Sequence, residues 1–303
     1  MKQFTYIKYK IKNIINSYFK NLESKIYYNQ KKINIEQNIL HSKELGISKN
    51  KYCDHDIIVS LTTYSKRLHE VHLAIESIME QTMKANKIIL WLQNDLKDVQ
   101  LPRSLYMLQE RGLEIKFCED IRSYKKLIPT MRLYPQDAII TIDDDVIYNI
   151  DFLENLIIPY LSDSRYIYCH RLHRMVLNKE NKLLPYNKWN HFINDHKVDI
   201  MNFPTGVGGI LYPPNSLDKE VFNSQIFMDI CKYADDIWFK AMSLKKGTHA
   251  KKVFSHNIKG EDFIINNNVQ DISLTNINVY GESLNDKQLD AVFTKYNLYS
   301  ILS

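Results

Sequence analysis

Between residues 57 and 142, four short apolar runs alternate with stretches of helical periodicity, and that alternation leaves the chain few ways to fold. The runs cover 57–61, 87–92, 113–117 and 137–142. Each is short and reads as a strand, and the last, with Ile139, Ile140 and Ile142, as a buried one. Between the first two, 69–81 sets Val71, Ala74, Ile75, Ile78 and Met79 on one helical face. The stretch 102–111 reads as a helix, with Pro102 suited to its first turn and Gly112 to its end. Residues 124–133 read as helical, with Pro129 expected to break or bend them. Parallel strands need long crossovers and helices supply them, so a mainly parallel sheet with helices on both faces is expected. Ligands then gather beyond the C-terminal strand ends.

Two such ends carry chemistry. The fourth run leads into three carboxylates, Asp143, Asp144 and Asp145. Like charges at the edge of a core cost free energy unless a cation or hydrogen-bond donors offset them. On an extended backbone Asp143 and Asp145 would face the same way. Paired hard oxygen ligands suit Mg2+ or Mn2+, which in turn hold a diphosphate. A solvated acidic turn is the plainer alternative. The first run ends in Thr62, Thr63 and Tyr64.

The second half is less regular. A helix is expected over 151–162, a His- and Arg-rich strand over 166–176, and a polar loop over 180–200. Gly206 to Gly209 form a turn leading into a strand that ends at Pro213 and Pro214. A helix over 235–246 is closed by Gly247, a short strand falls at Val253 and Phe254, and a last helix covers 286–298.

Composition narrows the function. Eight glycines in 303 residues argue against a glycine-rich phosphate cradle, leaving side chains and a metal to hold any nucleotide. Cys53, Cys118, Cys169 and Cys231 lie far apart, which disfavours a zinc site or redox dithiol and fits free thiols in a reducing compartment. No stretch approaches the ~18 apolar residues of a membrane span, and Lys8, Lys10 and Lys12 interrupt any secretory h-region, so a cytoplasmic protein is expected. The charge is uneven. Residues 1–52 hold 11 Lys against three Glu, a surplus of +8; the whole chain is +5, so 53–303 sum to −3. An acidic main body disfavours nucleic acid as a partner. In residues 1–50, Ile7, Ile11, Ile14, Ile15, Tyr18, Leu22 and Ile26 recur at three- and four-residue steps with lysines between them. This is a basic amphipathic helix, suited to an anionic membrane surface through residues 1–30 or to packing on protein. The expected division is a helical extension over 1–52 and a main domain over 53–303, with a nucleotide-binding half over about 55–150 and an acceptor half over about 151–303.

Four segments together resemble GT-A-fold glycosyltransferases of the broad family-2-like group. They are Val-Ser-Leu-Thr-Thr-Tyr at 59–64, Thr-Ile-Asp-Asp-Asp-Val at 141–146, Gly-Val-Gly-Gly-Ile-Leu at 206–211 and Ala-Asp-Asp-Ile-Trp at 234–238, within about residues 55–260. The resemblance implies a GT-A-like, Rossmann-like α/β fold and transfer of a sugar from a nucleotide-sugar, a UDP-sugar by preference. It assigns metal and diphosphate binding to Asp143 and Asp145 with Mn2+ or Mg2+, and leaves Asp144 open because the triplet permits a shifted frame. It implies nucleotide contact by Thr62, Tyr64 and Arg67, close sugar approach at Gly208 and Gly209, and a third metal ligand in His256. Lys126 is within reach of the diphosphate on the same reading, and the cluster His170, Arg171, His173 and Arg174 can steady phosphates or an acidic acceptor. The later acidic pair supplies the general base of inverting members, with Asp236 in frame and Asp235 beside it. The acceptor would be a glycan or a lipid-linked oligosaccharide of a surface polysaccharide, reached by a peripheral enzyme at the inner membrane face. No Gln-x-x-Arg-Trp segment is present, which favours single additions over processive synthesis.

The reaction needs such residues. The anomeric carbon becomes oxocarbenium-like as a diphosphate departs, and the attacking hydroxyl must lose a proton to a positioned carboxylate. Two rival readings are a nucleotidyltransferase, which would favour a glycine-rich loop where this chain has Leu-Thr-Thr-Tyr-Ser-Lys-Arg at 61–67, and a non-catalytic carbohydrate- or nucleotide-binding module.

Overall fold

A computed structural model describes residues 2–272 and 284–302. The chain divides into two compact units, Met1–Ser42 and Lys43–Ser303. The first is one helix, α1 (Lys2–His41), in a stretch that contains neither Gly nor Pro. The side chains of Ile7, Ile11 and Ile14 lie outside the described residues; Ile15, Tyr18, Leu22 and Ile26 are exposed.

The second unit begins with the expected alternation: β1 (Ile57–Thr62), α2 (Val71–Met79), β2 (Lys87–Gln93), α3 (Arg103–Gln109), β3 (Leu113–Cys118), α4 (Ile128–Leu133) and β4 (Ala138–Thr141). The helical stretch over 124–133 is interrupted as expected, but just ahead of Pro129 and not at it. A 3₁₀ turn (Arg122–Lys126) ends ahead of it, and Pro129 sits in the first turn of α4, where a missing N–H costs nothing. The chain continues through β5 (Val146–Tyr148), α5 (Phe152–Ser162), β6 (Ile167–Cys169), β7 (Leu172–Arg174), β8 (Asn202–Pro204), β9 (Ile210–Tyr212), α6 (Ser224–Ile230), α7 (Asp235–Lys246), β10 (Ala250–Lys252), β11 (Phe263–Ile265), α8 (Leu284–Lys295) and α9 (Tyr299–Leu302).

Seven strands form the central sheet in the order β3-β2-β1-β4-β9-β6-β10. Pairing is parallel from β3 to β4 and between β6 and β10, while β9 is antiparallel to both neighbours. The fold is thus the expected α/β class, a mainly parallel sheet flanked by helices. From β1 the chain winds outward to β2 and β3, then returns to place β4 on the other side of β1. That reversal makes the β1/β4 edge a topological switch point, the place where sheets of this kind bind ligands beyond their strand ends.

The expected strand over 166–176 is two strands. Residues Ile167–Cys169 join the main sheet, whereas Leu172–Arg174 pair with β8 in a separate ribbon, because the backbone turns at His170 and Arg171. The strand expected at Val253 and Phe254 ends earlier, at Lys252, and Phe254 is exposed. Gly247 closes α7 at φ +81, as a residue without Cβ can do freely. α7 is anchored in the core of the second unit: Trp238, Phe239 and Met242 are buried in one cluster with Tyr124, Phe227 and Phe293. Each such side chain contributes on the order of 2–3 kcal/mol by leaving water. The start of α7 is held rigidly as a result.

Candidate active site

The acidic triplet lies on a turn between β4 and β5, not on an extended run. Asp143 donates its backbone N–H to the Tyr148 hydroxyl at 2.9 Å. Two residues later the Asn266 N–H donates to the Asp145 carbonyl at 2.8 Å, and from Val146 onward β5 pairs antiparallel with β11. The turn sends the three carboxylates to different partners. Asp143 Oδ1 accepts from Lys126 Nζ at 3.0 Å. Asp144 and Asp145 share Arg67, whose two terminal nitrogens lie 2.8 Å and 2.9 Å from their oxygens. Gln270 adds a hydrogen bond to Asp145 Oδ2 at 2.8 Å.

Arg67 comes from a 3₁₀ turn, Ser65–His69, directly after β1, and it is buried. Its guanidinium therefore serves the acids rather than standing in solvent, with the Tyr64 ring 5.5 Å from Cζ. Thr62 turns its hydroxyl back into the sheet, onto the Trp91 carbonyl at 2.8 Å. The switch-point geometry thus gathers Tyr64, Arg67 and the triplet into one corner.

Lys126 links that corner to α7. Its ammonium lies 3.0 Å from Asp143 and 3.1 Å from Asp235. Burial pulls it toward the neutral form, but Asp143, Asp235 and Asp236 outweigh burial and hold it charged, well above its ordinary range. Asp235 and Asp236 occupy the first turn of α7; the N-cap is Ala234, so neither acid caps the helix. The Gly206 N–H donates to Asp236 Oδ2 at 3.0 Å, whereas Oδ1 is buried with no hydrogen-bond partner. Burial, then repulsion from Asp235, pushes the Asp236 carboxyl up to about 7. Burial likewise raises Asp144 to about 6 against the pull of Arg67, and raises Asp145 with help from Asp143.

The glycines divide. A Cβ at Gly206 would stand 2.8 Å from Lys126 Nζ and 3.1 Å from Asp236 Oδ1, so this residue faces the acids and must stay small. At Gly208 the same space is filled by Arg171, and at Gly209 by the Phe152 ring. Gly209 also holds φ +79, a conformation that side chains resist. Tyr148 ties the pieces together, since its hydroxyl donates to the Val207 carbonyl at 3.4 Å while accepting from Asp143.

His256 has other company. Its Nε2 meets Asp151 Oδ2 at 2.5 Å, and its backbone N–H donates to Asp262. Among the described residues no contact joins it to the triplet. Cys53, Asp54 and His55 are the one described trio of His, Cys, Asp and Glu side chains whose ligand atoms converge, and it includes none of the acids above.

The acids have the charge and hard-oxygen chemistry that a divalent cation takes, although among the described residues no three of their ligand atoms converge. Five carboxylates, Asp143, Asp144, Asp145, Asp235 and Asp236, share two cations, Arg67 and Lys126. Asp144 Oδ2 and Asp236 Oδ1 are buried with no hydrogen-bond partner, and the buried Asp235 Oδ2 faces the Lys126 ammonium at 3.1 Å. Hard anionic oxygens with an uncompensated charge are what Mg2+ or Mn2+ requires. Sequence reasoning missed Tyr148 and Gln270. An aromatic in a strand reads as core, and Gln270 reaches Asp145 across 125 positions with no local pattern to mark it.

No family model and no curated protein matches this chain. Among solved structures it is similar to CMP:2-keto-3-deoxy-manno-octonic acid synthetase complexed with CTP, at 11% identity over 66% of this chain and 89% of the other, with a TM-score of 0.38. It is also similar to a mannosyltransferase from Pyrobaculum calidifontis in complex with GDP-Man and Mn2+, at 13% identity and a TM-score of 0.42. That likeness covers 76% of this chain and 61% of the mannosyltransferase.

Proposed function

We propose that this chain is a metal-dependent, inverting glycosyltransferase that moves a sugar from a nucleotide-sugar, a UDP-sugar by preference, to a hydroxyl of a glycan or lipid-linked acceptor. One observation carries the reading. Asp236 presents a buried, unpartnered Oδ1 beside the acidic turn, while its Oδ2 is held by Gly206. A carboxylate fixed at one oxygen and unsatisfied at the other is poised to take a proton.

Asp143 and Asp145 would hold Mn2+ or Mg2+, whose chemistry there is to neutralise charge on the departing diphosphate. Asp236 accepts the acceptor hydroxyl's proton at Oδ1. Its raised affinity for protons, near neutrality, suits that task better than an ordinary carboxylate would. Lys126 keeps Asp143 and Asp235 in place and limits repulsion around the base. Tyr64, about one-third exposed at the switch point, is positioned to stack on a nucleobase. The basic face of α1 and its exposed Tyr18, Leu22 and Ile26 support contact with an anionic membrane surface, where a lipid-linked acceptor would be met. Among the described residues no helix is long and apolar enough to cross a membrane.

A donor screen that follows nucleoside diphosphate release tests the reading. Asp145→Ala is expected to abolish Mn2+-dependent turnover, and Asp236→Asn to keep nucleotide binding while losing transfer. Transfer that survives in Asp236→Asn places the base elsewhere. Pyrophosphate release from a nucleoside triphosphate favours a nucleotidyltransferase instead.

A further inference from the structure

Arg171 stands directly behind the glycine turn. Its carbonyl accepts from the Thr205 N–H at 3.2 Å, and its Cβ lies where a Gly208 side chain would go. The segment carrying Lys259 and Glu261 presses on the same spot, since a Cβ at Gly260 would fall 2.1 Å from the His170 carbonyl and 2.9 Å from Arg171 Cα. Two cations thereby meet one ring. The Arg171 guanidinium lies 4.9 Å from the Phe192 centroid and the Lys259 ammonium 5.4 Å from it. Arg171 Nε is buried without a hydrogen-bond partner, and the carboxylate near it, Glu261, is 4.0 Å away. Phe192 is held at φ +56, an uncommon conformation for an aromatic residue, and its N–H donates to His173 Nδ1 at 3.1 Å. That bond requires an unprotonated Nδ1, in line with burial and Arg171 lowering His173 to about 3.

This cationic corner adjoins the base. Tyr186 packs edge-on against His173 and His191. Consecutive N–H groups join the corner to the base: that of Thr205 donates to the Arg171 carbonyl at 3.2 Å and that of Gly206 to Asp236 Oδ2 at 3.0 Å.

We infer that Arg171 and Lys259 form an anion subsite for the acceptor, so that the hydroxyl presented to Asp236 belongs to a molecule bearing a carboxylate or a phosphate. The inference rests on the glycosyltransferase reading. A partly unsatisfied guanidinium that shares one aromatic ring with a second cation offers charge-assisted hydrogen bonds to such a group. Two cations against Glu261 leave a local positive surplus within an otherwise acidic site.

The test fills the donor side first. Full-length protein saturated with UDP and Mn2+ is titrated calorimetrically with inorganic phosphate and, separately, with glucuronate. Wild type is expected to bind at least one of them, and Arg171→Gln and Lys259→Gln each to weaken that binding at least fivefold with UDP affinity within twofold of wild type. The better ligand identifies the anion. Equal anion binding in wild type and both variants, or none in wild type, overturns the subsite. Failure of UDP and Mn2+ to bind at all overturns the donor reading instead. With an active donor, paired acceptors that differ only in a carboxylate or phosphate provide the kinetic arm. Arg171→Gln is expected to raise KM at least tenfold for the charged member alone, and an equal rise for both members counts against the proposal.

Discussion

The Lys126 ammonium lies 3.0 Å from Asp143 Oδ1, and through that contact the acidic turn after β4 is joined to the start of α7. Seventeen positions separate the pair, and the lysine comes from the 3₁₀ turn ahead of Pro129.

Removing that cation while keeping its bulk is the first test. Lys126→Met leaves Asp143, Asp235 and Asp236 facing one another without a neutralising charge. Breaking a buried pair in this way costs about 3–5 kcal/mol. Urea unfolding is expected to show a loss of that size, and Mn2+ to restore more stability to the variant than it adds to wild type. A loss below about 1 kcal/mol with no Mn2+ effect contradicts the arrangement.

Arg67 holds two carboxylates with one fork, which an ammonium cannot reproduce. Arg67→Lys is expected to keep the fold and to weaken UDP binding in the presence of Mn2+ about tenfold, equivalent to ~1.4 kcal/mol, because Asp144 and Asp145 lose their fixed spacing. Calorimetric titration of the two proteins checks it.

Gly206 faces the acids at close range. Gly206→Ala puts a methyl 2.8 Å from Lys126 Nζ and 3.1 Å from Asp236 Oδ1, so those side chains must shift. Turnover is expected to fall by roughly 10–100-fold, as a displacement of about 1 Å at a reacting group does, with a melting temperature within a few degrees of wild type. Unchanged turnover would mean that Asp236 is not the base.

The Asp236 carboxyl, pushed up from 3.8 to about 7, links activity and stability to pH. As a base it must be ionised, so kcat/KM is expected to climb about tenfold per unit up to about pH 7 and then level. The stability sign is opposite. Below pH 3.8 the carboxyl is protonated in both states; between 3.8 and about 7 the unfolded chain gives up the proton while the folded protein keeps it, so stability falls across that window and levels above it. Asn carries no charge at any pH. The melting temperature of Asp236→Asn relative to wild type is therefore expected to rise between pH 5 and pH 8, by roughly 2–6 °C. Comparing the two proteins at each pH removes Asp144, raised to about 6, and His173, lowered to about 3, which act in opposite directions. A difference that stays flat across this range means Asp236 ionises as an ordinary carboxyl.

Much of the frame was legible residue by residue. The runs at 57–61, 87–92 and 113–117 became β1, β2 and β3, each one residue longer at its end; the first two are apolar and buried, whereas the third alternates apolar residues with Glu114 and Lys116 and is half-buried. The helix over 235–246 and its glycine stop were equally plain. Errors came where tertiary context overrides local pattern. His170 and Arg171 look like the middle of a strand, yet a turn there divides two sheets. Pro129 does accompany the expected break in 124–133, but from the first turn of α4 and not from a helix interior.

The amino-acid order by itself determined the α/β winding, the gathering of acids at strand and helix ends, and the basic helix in front, because these follow from periodicity and charge read over neighbouring residues. Only the tertiary structure decided which acid meets which cation. Asp143 takes Lys126 and its two successors take Arg67 because the turn after β4 fans them apart, and Gly206 rather than its neighbours faces the base because Arg171 and Phe152 occupy the other two positions. Such pairings join residues separated by 17 to more than 100 positions, and packing in three dimensions sets them where no local pattern can.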